Sequence, residues 1–161
     1  MKKKDKLERF VEAQNRLYDK ALKEITAGKK KTHWMWFIFP QIKGLGSSEI
    51  SKYYAIQSIK EAEAYIKHSY LGSHLLICCH ELMKQPTDNA VEIFGEIDAK
   101  KLQSCMTLFY CTSKIPLFKA VLQKFYNGEP CRSTIEILDT LGKEEANDGT
   151  GRNHSRLKSR K

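Results

Sequence analysis

A chain of 161 residues is the usual size of one domain, and 41% hydrophobic with 10% aromatic residues is too apolar for a disordered chain. The longest apolar run, residues 34–39, ends at Pro40, far short of the roughly 18 residues of a membrane span. The net charge of +9 gathers at the ends: residues 1–31 hold 11 Lys and Arg against 5 Asp and Glu, residues 143–161 hold 6 against 3, and the middle is neutral. That distribution argues against a specific nucleic-acid face on the folded body.

In chain order, Leu7, Phe10, Val11, Leu17, Tyr18 and Ile25 recur at three- and four-residue steps. This predicts an amphipathic helix over 5–27, closed by Gly28. Glu8, Arg9 and Glu12 stand where a signal peptide would be apolar, so a cytoplasmic location is expected. The block His33-Trp34-Met35-Trp36-Phe37-Ile38-Phe39-Pro40-Gln41 is the densest apolar stretch, and its length fits a short buried helix or a buried strand. Lys43-Gly44-Leu45-Gly46-Ser47-Ser48 reads as a loop, with Ser47 or Ser48 capping a helix that carries Ile50, Tyr53 and Tyr54. Ser58 and Glu61 fit a capping box for a helix through Ile66.

Ser69 is the expected cap of a deeply buried helix over 70–84, apolar most of the way round and ended by Pro86. Thr87 or Asp88 begins a short helix with Gly95 as its cap, and Asp98 opens a longer one to about Thr112. Pro116 sits in the first turn of the next, which ends near Asn127-Gly128, and 134–141 completes the ordered part. The expected fold is all-α: one compact multi-helical domain of seven or eight mostly short helices over 5–141. A basic extension over 1–4 and a disordered basic tail over 142–161 flank it.

Two stretches have the residue types for a ligand site. The Trp block followed by Gly44, Gly46 and Ser47 sets aromatic surface beside backbone N–H groups at a helix start, which suits a flat ring bearing phosphate. His33, Trp34, Trp36 and Gln41 are its candidate side chains, although the same aromatics also suit a central core. Asp98, Lys101 and Cys105 share one helix face, and Ser104 lies beside them, making Asp98, Lys101 and Ser104 possible second contributors. The five cysteines form no Cys-x-x-Cys pair and read as reduced core thiols. His74 and Cys78 have the i,i+4 spacing of metal ligands but no supporting partner, so neither a metal nor a cofactor is expected.

Several strings occur together in order: Arg9-Phe10-Val11-Glu12-Ala13-Gln14, the Trp-Met-Trp-Phe-Ile-Phe-Pro-Gln string at 34–41, Gly44-Leu45-Gly46, Tyr54-Ala55-Ile56, Ile93-Phe94-Gly95 and Met106-Thr107-Leu108-Phe109. From about Lys6 to Leu138 the chain resembles the bacterial domain-of-unknown-function 1810 family, whose members are sometimes mislabelled calpastatin. The resemblance implies a mainly α-helical single domain and carries over no catalytic residue. Gln103, Cys105 and Cys131 stand where the family pattern has Arg, Ser and Asp. A helix ending in Gly, followed by a basic-Ser-Met-Leu-Phe helix, is also faintly similar to the helical ADP-ribose glycohydrolases of the NADAR type.

The function expected is binding, or hydrolysis, of a nucleotide-like small molecule, ADP-ribose-related ones included, at the Trp block and Gly loop. The alternative is a non-catalytic protein-interaction module whose basic ends give weak nonspecific nucleic-acid affinity. A monomer or weak dimer without membrane association is expected.

Overall fold

The computed structural model describes residues 6–149 of the chain. Among them are eight helices and no strand, as an all-α fold requires. The first, α1 (Glu8–Ala27), follows the amphipathic pattern and stops at Gly28, whose φ of +80° lets its N–H turn back to the last carbonyls. The Trp block forms a single turn, α2 (Met35–Ile38). Then come α3 (Glu49–Tyr53), capped by Ser48, and α4 (Ile59–Lys67), where Ser58 accepts from the Glu61 N–H. The Glu61 carboxylate reaches back to the Gln57 N–H at 2.8 Å, one residue before the position a capping box would use.

Three boundaries differ from the sequence expectation. α5 (Ser69–Met83) is capped by His68, not Ser69, because the His68 Nδ1 accepts from the Tyr70 and Leu71 N–H groups. The two helices expected on either side of Gly95 follow one another in α6 (Ala90–Ser113), which leaves helical geometry at Gly95 and is capped by Asn89 instead of Thr87 or Asp88. Gly95, at φ +83° and ψ 167°, separates the two helical segments as expected, and Asp98, three residues on, caps neither, its carboxylate pairing with Lys30 and Lys101. α7 (Pro116–Tyr126) has Pro116 in its first turn and ends on Asn127 in the left-handed region.

The last helix, α8 (Arg132–Gly149), runs past Gly142, where the ordered part was expected to end. Its Glu145 carboxylate accepts from the Ile59 N–H at 2.8 Å, a first-turn donor of α4 that has no partner within its own helix. The expected basic extension, and the tail beyond Gly149, lie outside the described residues.

α5 packs on α1, α4 and α7, and α6 packs on α4, α7 and α8. Leu71, Leu75, Cys78, Cys79 and Leu82 of α5 are buried, while Ile77 of the same helix is exposed. Cys105 joins the core, but Cys111 is exposed and Cys131 half-buried, so only three of the five cysteines are core thiols. Burial pushes the Cys78 thiol up to about 12, where it is not a nucleophile at neutral pH.

Two polar residues, Gln14 and Arg9, join the elements. Gln14 of α1 donates to the Phe37 carbonyl at 2.7 Å and to the Tyr65 hydroxyl at 3.0 Å, and its Oε1 bonds His74 Nδ1 at 2.8 Å. His74, also stacked on Tyr18, is thereby committed to packing, and Cys78 is buried. Among the described residues no three His, Cys, Asp or Glu side chains gather as a metal site would need. Arg9 pairs with Glu61 at 3.1 Å and donates to the Tyr53 and Ala55 carbonyls, each at 2.8 Å, which fixes the chain between α3 and α4.

Candidate functional site

The site begins at Glu24, near the end of α1. Its carboxylate accepts from the Lys31 N–H, from the Thr32 N–H and hydroxyl, and from the Trp34 indole N–H at 2.8 Å. This anchors Trp34 in the core, 1% exposed, at the entrance to α2. Two residues later, roughly half a helical turn, Trp36 points to the other side and stays half-buried. Pro40 then turns the chain into Gln41, and residues 41–43 pair with Ile56 in a parallel bridge. The Ile56 N–H donates to the Gln41 carbonyl at 2.8 Å, and the Lys43 N–H donates to the Ile56 carbonyl at 2.9 Å. Gly44, at φ +97°, takes the chain out of the bridge, a conformation that disfavours side chains.

Between this loop and the segment 51–57 lies a cleft of about 320 Å³. Of the sequence candidates, Trp36, Gln41, Gly44 and Gly46 line it, and Lys43, Lys52, Tyr54 and Gln57 complete its polar and aromatic wall. Gly46 is required by a close approach, since a Cβ there would lie 2.6 Å from the Ser51 Oγ. Gln41 is only 9% exposed, and its side-chain amide bonds no described residue but meets the open space of the cleft, since the Tyr18 hydroxyl is the buried side-chain polar atom left unpaired among the described residues. Burial pushes the Tyr54 phenol upward, so this wall carries no phenolate at neutral pH.

The remaining candidates divide three ways. Asp98 and Lys101 do not line the cleft but stand behind it. Asp98 pairs with Lys30 at 2.9 Å and with Lys101 at 3.1 Å, and the Lys101 ammonium lies 3.9 Å over the Trp36 ring. Burial raises the Asp98 carboxyl, but the two ammonium groups outweigh it and hold the pKa below its ordinary value. His33 and Ser47 are exposed and outside the cleft. Trp34 and Ser104 are core residues, Ser104 being 2% exposed and bonded to the Thr134 hydroxyl at 2.8 Å.

A structural role for Ser104 has a direct test. Ser104→Val should cost about 1–3 kcal/mol by stranding the Thr134 hydroxyl, and Thr134→Val in the same chain should recover most of it. Equal thermal midpoints for the single and double variants would remove this role.

The expected anion site at a helix start is not formed. α3 has only five residues, and Ser48 already accepts its Ser51 N–H. Positive charge comes instead from Lys43 and Lys52, which the sequence reading missed. Lys43 carries a local signal, adjoining Gly44 in the loop, whereas nothing in the 49–53 pattern marks Lys52 as facing that loop.

The sequence pattern of a family described as protein of unknown function (DUF1810) matches residues 4–138. The chain is also similar to the crystal structure, at 1.38 Å, of the conserved hypothetical protein Rv1873 from Mycobacterium tuberculosis. That likeness has a TM-score of 0.81 and 42% identity, over 83% of this chain and 96% of that one. Among the curated proteins none matches.

Proposed function

The chain belongs to the DUF1810 family of proteins of unknown function, and from its cleft we infer that it is a binding domain for a nucleotide-like small molecule. The observation that carries this reading is Gln41. Its stem is packed away while its amide bonds no described residue and opens onto the cleft, so both its donor and its acceptor are available to a ligand's polar atoms. Trp36 adds a flat apolar surface, and Lys43 and Lys52 add positive charge. A nucleotide, ADP-ribose included, presents a ring to the first and phosphate to the second. Amide, aromatic and ammonium groups bind and orient, so the reading is of binding rather than hydrolysis.

A thermal-shift series with nucleotides, NAD, ADP-ribose and sugar phosphates tests this. A ligand at a hundredfold its Kd should stabilise the fold by about 2.7 kcal/mol. Trp36→Ala should weaken binding about tenfold or more, as loss of a stacking platform does. Unchanged affinity in both Trp36→Ala and the Lys43→Ala/Lys52→Ala double variant would remove the reading.

The second reading, an interaction module without catalysis, draws on Ile50 and Tyr53, which are 48% and 58% exposed on α3 beside the cleft. Nonspecific nucleic-acid affinity of the basic ends would belong to it and should vanish at moderate salt.

A further inference from the structure

We propose that the ligand of this cleft is a nucleoside monophosphate, with Gln41 reading the edge of its base. The proposal rests on the reading of the cleft as a nucleotide-like binding site and narrows it. Size comes first, since about 320 Å³ is at the small end of the roughly 300–1,000 Å³ of small-molecule sites. One base, one sugar and one phosphate suit that volume better than the paired nucleotides of NAD or the extended ADP-ribose.

Charge gives an independent limit. Of the ammonium groups around the site, Lys101 and Lys30 share the Asp98 carboxylate, which leaves Lys43 and Lys52 in the lining. Two cations match a phosphate monoester, which carries about −1.5 to −2 at neutral pH. The stacking surface is limited too. Lys101 already covers one face of Trp36 at 3.9 Å, and Gly46 abuts the ring edge, where an added Cβ would sit 3.6 Å from Cη2. Trp36 is also packed in part against the core, so the ring surface it gives the cleft suits one base at most.

Gln41 supplies specificity. Its backbone is fixed by Pro40 before it and by the bridge to Ile56 after it, so the side chain starts from a rigid point. The amide offers one N–H₂ donor beside one carbonyl acceptor, the pattern that pairs with the donor–acceptor edge of a base.

Isothermal titration of the full chain decides it, using AMP, GMP, CMP and UMP against ribose 5-phosphate, inorganic phosphate, NAD and ADP-ribose. At least one monophosphate should bind tenfold or more tighter than ribose 5-phosphate and than NAD. Gln41→Ala should abolish discrimination among the bases and leave ribose 5-phosphate affinity within about twofold. The Lys43→Ala/Lys52→Ala double variant, with an unchanged thermal midpoint, should weaken every phosphate ligand. Equal affinity for ribose 5-phosphate and the monophosphates would overturn the proposal. So would tighter binding of NAD or ADP-ribose that Trp36→Ala abolishes, and both outcomes leave the cleft as a binding site. No binding anywhere in the panel would overturn the proposal and the site together.

Discussion

Replacing Glu24 with alanine is expected to lower stability by about 3–4 kcal/mol, because one carboxylate serves four donors and its loss strands those that are buried. The Trp34 indole N–H is the most costly of them, since it lies with its ring in the core and has no other acceptor. Burial alone would raise the Glu24 pKa. Hydrogen bonds from Lys31, Trp34 and Thr32 reverse that and bring it from the ordinary 4.5 to about 2. A folded-state pKa below the unfolded one gives stability that is complete above about pH 4.5 and is lost as pH falls toward 2. The shift corresponds to about 3 kcal/mol. Urea unfolding of the wild type from pH 6 down to pH 2 should show this decline. Glu24→Gln, which has no charge to titrate, should show a flatter curve from a lower starting stability. A Glu24→Ala variant with the wild-type midpoint and the wild-type pH profile would refute the account. The same loss should loosen the cleft, because Glu24 holds the chain from which α2 and Trp36 project.

Gly72→Ala is expected to cost about 3 kcal/mol or more, the upper end for overpacking. Gly72 lies in the first turn of α5, buried beneath the last turn of α4. A Cβ there would overlap the Ile66 carbonyl oxygen and lie 3.0 Å from its carbon. The obstacle is main chain, so no rotamer relieves it. The backbone cannot retreat either without breaking the Gly72 N–H bond to the His68 carbonyl at 2.8 Å. The midpoint should fall by roughly 6–12 °C for that cost in a domain of this size. Displacing α4 also shifts Tyr65, which shares Gln14 with the Phe37 carbonyl of α2, so ligand affinity should fall with stability. Equal midpoints for Gly72→Ala and the wild type would show that α4 and α5 separate freely at this corner.

Much of this fold was legible from local pattern. The three- and four-residue spacing in α1, the Gly28 stop, the caps at Ser48 and Ser58, and Pro116 opening α7 are each decided within one or two turns of chain. The reading failed where a local signal had two uses. Asp98 resembles a cap but pairs with Lys30, from the loop after α1, and with Lys101.

For the candidate site, the aromatic block and its glycines are neighbours in the fold as in the sequence, and Trp36, Gln41, Gly44 and Gly46 line one cleft. Composition had no means of separating Trp34 from Trp36, since the two differ only in what approaches them. Glu24 takes the first into the core, and Lys101 covers the second at the cleft edge. Lys52 and Tyr54 join Gln41 because Ile56 bridges back to residues 41–43, a pairing across more than a dozen positions. Helix caps and periodicity are short-range energies written in adjacent residues. Which side chains share a cleft depends on long-range hydrogen bonds and packing, which exist only once the helices have docked.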